Sequence, residues 1–239
     1  MQTKIAGVVR SLTPGWIGRG IDRLARLLDP DARRSYSQEG EDLVTSRFLE
    51  GRREGFYVDI GAHHPTRFSN TQLFYKEGWK GINIEPSPDA TKRFQKMRRR
   101  DTYVAMGVGE AEGELTYYVF NDPALNTFDE KLMREREAET GYWVVGTKKI
   151  AVDRLERILG KHIPIGQEID FMSVDVEGFD LQVLRSNDWN RYRPELVLVE
   201  ALDFKFSKSD EHPIHIFMSS VDYELVAKTQ NTLFFRELK

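Results

Sequence analysis

Gly55-Phe56-Tyr57-Val58-Asp59-Ile60-Gly61-Ala62-His63-His64-Pro65 is the stretch on which the fold turns. Phe56 to Ile60 is a short aromatic and β-branched run, the pattern of a strand buried on both faces of a parallel sheet. It stops at Gly61-Ala62, two small residues that would let a ligand approach the backbone. Ser69-Asn70-Thr71 then reads as a helix cap, followed by an apolar face of Leu73, Phe74 and Trp79. Strand, glycine turn, helix is the opening of an open α/β sheet, in which ligands sit beyond the carboxyl end of the first strand.

Gly81-Ile82-Asn83-Ile84-Glu85-Pro86 repeats the pattern as a second short strand ending in a carboxylate. An acid ~20 residues beyond the turn can accept both hydroxyls of a ribose. The turn lacks the three spaced glycines that a pyrophosphate requires. A ligand with an adenosine ribose and no pyrophosphate is expected, and S-adenosylmethionine fits. The plainer reading is a βαβ unit without a ligand.

Five motifs occur in order: Tyr36-Ser37-Gln38-Glu39-Gly40-Glu41-Asp42, Val58-Asp59-Ile60-Gly61-Ala62, Ser69-Asn70-Thr71, Ile82-Asn83-Ile84-Glu85-Pro86 and Val174-Asp175-Val176-Glu177-Gly178. Together they resemble the FkbM family of class I S-adenosylmethionine-dependent methyltransferases, from about Tyr36 to Glu200. The resemblance implies a Rossmann-like α/β fold, with a seven-stranded, mostly parallel sheet whose last strand is antiparallel. It implies a cofactor site drawn from Gln38, Asp59, Gly61, Ala62, Ser69, Asn70, Thr71, Glu85, Pro86, Gly107 and Val108.

A chain of 239 residues suits one such domain with additions. The formal charge of −3 gives no global sign of a nucleic-acid partner. The absence of cysteine removes disulfides, thiolate nucleophiles and zinc–thiolate sites, and suits a cytoplasmic protein. No apolar run reaches the ~20 residues that span a bilayer. Arg10, Pro14 and Arg19 break up the N-terminus, so it does not read as a signal peptide. Residues 1–35 read as a helical extension of two amphipathic helices split at Pro14-Gly15. Their apolar stripe would pack on the domain or on a second subunit of a homo-oligomer. Their basic residues leave open a peripheral contact with an anionic membrane. Residues 36–239 are then the catalytic domain.

Ser87-Pro88-Asp89 reads as a helix start, and the run Lys96 to Arg100 as cations favoured at that helix's C-terminus. Thr102 to Val108 reads as the third strand and Glu114 to Phe120 as a further one. Residues 121–146, with a charged helix over Phe128 to Thr140, read as an insertion over the active-site mouth, where substrate choice resides. Ile169 to Val174 and Pro194 to Glu200 are the fourth and fifth strands. Glu211 to Ser220 suits a helix, and Tyr223 to Lys228 with Thr232 to Arg236 a closing hairpin.

Methyl transfer to a hydroxyl asks an enzyme to align donor and acceptor and to remove a proton. Asp175 and Glu177 are the candidate bases, with His64 (or its neighbour His63) as a further one. Asp175 and Glu200, with Asp203 beyond, end adjacent strands and could hold Mg²⁺ or Mn²⁺. Related sugar and antibiotic O-methyltransferases hold a divalent ion in this way, and some add a histidine where this chain has Gly178. The loop Asp-Val-Glu-Gly lacks the Asn/Asp-Pro-Pro-aromatic pattern of DNA amino-methyltransferases. The expectation is O-methylation of a sugar, glycan or natural-product hydroxyl. The alternatives are a non-sugar small molecule, or a non-catalytic domain that binds a cofactor or partner. His212 and His215 read as structural.

Overall fold

The computed structural model describes residues 31–238. Contacts divide the chain into two units, Met1–Arg34 and Ser35–Lys239. The helical extension expected over residues 1–35 lies, but for its last five residues, outside the described part. All that follows concerns the second unit.

Seven strands form the main sheet: β1 (Phe56–Ile60), β2 (Lys80–Ile84), β3 (Thr102–Val104), β7 (Phe171–Val174), β8 (Leu196–Glu200), β9 (Tyr223–Lys228) and β10 (Thr232–Glu237). Their order is β3-β2-β1-β7-β8-β10-β9. The first five are parallel, and β10 runs antiparallel to both of its neighbours. This is the Rossmann-like class I methyltransferase arrangement that the sequence resembles.

The pleat sends alternate side chains to opposite faces, and both faces are covered. On one side Tyr57, Phe171 and Phe234 meet Phe74 and Trp79, with Phe74 and Phe171 ring centroids 4.7 Å apart. These contacts seat α1 (Glu41–Phe48) and α2 (Gln72–Glu77). On the other side Val58, Ile60, Met172, Val174, Val197 and Val199 bury the apolar faces of α5 (Leu155–His162), α6 (Asp180–Arg185) and α7 (Pro213–Ser220). Helix α3 (Pro88–Met97) packs Ala90 and Phe94 on Ala62.

The third strand is shorter than expected. Thr102–Val104 pairs with β2, but the chain then leaves the main sheet. Gly107–Val108 (β4) instead pairs with β6 (Val144–Asp153) in a second sheet of order β4-β6-β5. A Cβ at Gly107 would lie 2.7 Å from the Phe128 ring and 2.8 Å from Val152, so glycine lets this crossing close. The strand β5 (Gly113–Phe120) pairs along β6 from Gly113–Val152 to Phe120–Val144. Residues 121–146 are therefore mostly the far end of one long hairpin. Their helix, α4 (Glu130–Glu137), is shorter than the sequence suggested.

Ser69-Asn70-Thr71 ends at the N-cap of α2, as expected, but Thr71 makes no side-chain capping bond. Its hydroxyl donates to Asp59 (2.8 Å) and accepts from the Arg98 guanidinium (3.2 Å), which also donates to Ser69 (2.9 Å). Asn70 donates to Ser173 at 3.0 Å. Arg98, expected to be a helix-end cation, is only 2% exposed. It donates also to the carbonyl of Pro65 and to Tyr57, and pairs with Asp101. A buried charge is tolerated only when paired and hydrogen-bonded, and this one ties the loop after β1 to the sheet. Among the described residues no helix is long and apolar enough to cross a membrane.

Candidate active site

Strand register builds the site. Ile84, Ile60, Val174 and Val199 stand side by side across β2, β1, β7 and β8. The next residue on each strand is Glu85, Gly61, Asp175 and Glu200. Four chain ends are thus set in a row along the carboxyl edge of the sheet, where open α/β sheets bind ligands.

Gly61 has φ 78°, a left-handed conformation. A Cβ there would lie 1.7 Å from the Asp175 carbonyl oxygen. The glycine lets two strand ends close on each other. Past it, the His63 amide donates to Glu85 Oε2 (2.8 Å) and the Ser87 amide to Glu85 Oε1 (2.7 Å). Burial pushes the Glu85 carboxyl up to about 6, against the pull of these two amides. Two backbone donors fix its plane and leave a lone pair on each oxygen.

Gly61 and Glu85 line a cleft of about 1200 Å³ counted to its open mouth. Gln38, Pro86, Gly107 and Val108 also line it, as do Asp175 and Glu177. Asp59, Ala62, Ser69, Asn70 and Thr71 do not line it: Ala62 packs on Ala90 and Phe94, Asp59, Ser69 and Thr71 join the buried network around Arg98, and Asn70 donates to Ser173. Gln38 is presented by a loop folded around Asp42, whose carboxylate accepts from Ser35, Ser37 and the Tyr36 amide.

The histidines exchange their expected places. His63, with φ 44°, lines the cleft. His64 turns its Nδ1 to the amides of Thr66 and Arg67 (3.1 Å each) and is not among the lining residues. Burial lowers both imidazole pKa values, helped by the neighbouring Arg67 and Arg93.

At the other end, Asp175, Glu177 and Glu200 bring one carboxylate oxygen each to within 4.8 Å of one another. Burial, reinforced by their neighbours' charge, pushes Asp175 well up and Glu200 to about 11. Glu177 is raised by burial too, but Arg136 opposes the rise. The nearly buried Arg136 guanidinium, from α4, donates to the Glu177 carboxylate, and Thr127 Oγ1 donates to the Glu177 carbonyl (2.7 Å). Glu177 itself sits at φ 55°, a conformation that costs a non-glycine residue free energy of order 1–3 kcal/mol. Asp180 holds the turn by accepting from the amides of Val176 and Gly178, and burial raises its carboxyl to about 7. Asp203 does not join the cluster; it is exposed and pairs with His212 at 3.1 Å.

Sequence reading missed Asp180, Arg136, Tyr117, Phe128, Arg93 and Lys148. Asp180 alone carried a signal, as an acid in the first turn after a glycine loop. The others come from the hairpin and from the middle of α3, where no motif singles out one side chain.

A family model described as "Methyltransferase FkbM domain" matches residues 59–225. No curated protein matches the chain significantly. Among solved structures, one similar to it is the methyltransferase FkbM of Methylobacillus flagellatus KT, at 18% identity and TM-score 0.48. That match covers 77% of this chain and 44% of the other, so this chain spans less than half that protein's length. Another is the precorrin-6y C5,15-methyltransferase of Geobacter metallireducens GS-15: 11% identity, TM-score 0.43, covering 87% of this chain and 92% of that one. A third is the Burkholderia thailandensis 1,6-didemethyltoxoflavin-N1-methyltransferase, solved with its namesake ligand and S-adenosylhomocysteine: 11% identity, TM-score 0.42, covering 99% and 90%.

Proposed function

The chain belongs to the FkbM methyltransferase domain family, and from that premise we propose that it is an S-adenosylmethionine-dependent O-methyltransferase acting on a hydroxyl of a sugar, glycan or natural product. The observation that carries the reading is one cleft lined by an amide-held carboxylate, Glu85, and by Asp175 and Glu177, beside which Glu200 completes a three-carboxylate cluster.

The donor fits these residues. Glu85 has a free lone pair on each oxygen for the two ribose hydroxyls, and charge-assisted bonds of that kind are strong. Gln38 and Pro86 flank the same space. When bound, S-adenosylmethionine supplies a methyl group already activated for in-line displacement. This chain's task is then to hold the acceptor hydroxyl in line and take its proton.

Of the three clustered carboxylates, Glu177 has the guanidinium beside it, which favours its charged form. We assign Glu177 Oε as the proton acceptor, with Asp175 orienting the hydroxyl. The three hard oxygen donors also fit a divalent cation. Asp175, Glu177 and Glu200 would hold Mg²⁺ or Mn²⁺, whose Lewis acidity would lower the hydroxyl's pKa.

The test is to incubate purified protein and S-adenosylmethionine with panels of sugar nucleotides, oligosaccharides and polyhydroxylated natural products. A product heavier by one CH₂, absent in Glu177→Gln, is expected. Failure of the parent protein to bind S-adenosylhomocysteine by calorimetry would overturn the reading.

A further inference from the structure

We propose that the rim of this cleft binds an oxyanion carried by the acceptor, a phosphate ester or a carboxylate, between His63, Arg93 and Lys148; the proposal rests on the methyltransferase reading of the same cleft. The three side chains come from separate elements: the turn after β1, the second turn of α3, and β6.

Their state is unlike that of most basic residues here. Arg52, Arg136, Arg154 and Arg193 each hold a carboxylate. The Arg93 and Lys148 side chains line the cleft without a hydrogen bond or ion pair to any described residue. Asp89 stands one turn before Arg93 and also lines the cleft, yet makes no ion pair with it. Arg67 adds a further cation beside them, its guanidinium 4.4 Å from the centre of the Phe68 ring, another lining residue. Positive charge from Arg67 and Arg93 reaches both histidines, with Asp122 opposing it at His63. A low-dielectric cleft focuses such a field on an incoming anion.

The inner end of the cleft is acidic, at Asp175 and Glu177, and the rim is basic. A neutral hydroxyl placed at the acids and an anion placed at the rim would fix one acceptor at two points. The donor satisfies the rim poorly. Its adenosine is uncharged, and its single carboxylate lies across the sulfonium from the ribose. Arg93 stands on the helix that directly follows Glu85, the ribose side.

The test uses the full chain and the double variant Arg93→Gln/Lys148→Gln, both positions being exposed. Each protein, saturated with S-adenosylhomocysteine in low salt, is titrated with uridine diphosphate and separately with glucuronate. At least one probe should bind the parent, and the double variant should bind it at least about tenfold more weakly, as expected for lost charge-assisted bonds. Affinity for S-adenosylhomocysteine should not change. Binding of the diphosphate alone assigns a phosphate, and of glucuronate alone a carboxylate. Lys149→Gln is the control: Lys149 is next in sequence but bonded to Thr116, and its loss should change nothing. Three results overturn the proposal: neither probe binds the parent at millimolar concentration, the double variant binds as the parent does, or S-adenosylhomocysteine itself weakens tenfold, which would give the cations to the donor. Repeating the titrations without S-adenosylhomocysteine separates the readings, since a cation-dependent anion site that survives without donor binding removes the donor assignment alone.

Discussion

At the scale of single residues, Glu85 and Gly61 show two ways in which one strand end can matter. Glu85 is oriented before any ligand arrives, because two amides already hold its oxygens. Replacing it with alanine should weaken S-adenosylhomocysteine by roughly 1–3 kcal/mol in calorimetry, the worth of hydrogen bonds to a charged group. Unchanged affinity would remove Glu85 from the ribose role. Gly61 acts on the fold instead. Gly61→Ala would drive a methyl group into the Asp175 carbonyl and hold alanine at φ 78°. A loss of at least ~2 kcal/mol in denaturant unfolding is expected. The sequence showed that a glycine was needed there but not for whom, because a close approach between two strand ends leaves no mark in either strand. His63 and His64 were indistinguishable in sequence for a similar reason. Which of two adjacent side chains enters a cleft is set by one backbone angle, and His63 takes the unusual one.

At the scale of elements, the short motifs located the strands because each apolar run is buried whole and bounded by glycine, proline or an acid. The first half of β6 escaped that logic, although its partner β5 did not. Val144 to Lys149 is mostly exposed, so it lacks the apolar signature, and only its pairing with β5 makes it a strand. This hairpin nevertheless reaches the chemistry through α4. Arg136 holds the Glu177 carboxylate, Thr127 holds its carbonyl, and a Cβ at Gly178 would meet Leu132 at 2.9 Å. Three contacts brace a turn whose backbone is strained. Arg136→Gln should lower kcat at least about tenfold, part of the ~10²–10⁴-fold that a positioned base contributes, and leave S-adenosylhomocysteine affinity unchanged. Arg136→Lys should recover part of the loss. If kcat is retained in Arg136→Gln, the hairpin covers the site without setting up its base.

At the scale of the whole molecule, the carboxyl edge of the sheet concentrates buried acids, and this fixes the sign of its pH dependence. Burial raises Asp59 and Glu85 to about 6 and Asp180 to about 7. Unfolded, such groups titrate near ~4. Between those values the folded state binds more protons than the unfolded one, so their contribution to stability is lost as pH rises from about 4 to 7. Asp153 and Glu195, lowered by hydrogen bonds from Lys161 and Arg52, act oppositely only below ~4, and His63 and His64, lowered by burial, offset part of the loss below ~6.5. Unfolding free energy of the ligand-free protein should therefore be lower at pH 8 than at pH 5, and Asp180→Asn should flatten that slope whatever it does to the absolute value. A divalent cation would change the balance. Asp175, Glu177 and Glu200 repel one another when ionised, and Arg136 answers only one of them. An ion bound to the folded state alone raises the melting temperature by mass action. Mg²⁺ or Mn²⁺ should therefore raise Tm at pH 8 in the parent, and not in Asp175→Asn or Glu200→Gln. Turnover should fall with EDTA and return with the metal. If Glu177 works as a base without a metal, EDTA and Mg²⁺ do nothing, while Glu200→Gln alone raises Tm at pH 8 by removing a buried acid. Full turnover in exhaustively chelated protein, with no Tm response to either ion, would leave Glu177 and Arg136 as the whole of the proton-accepting machinery.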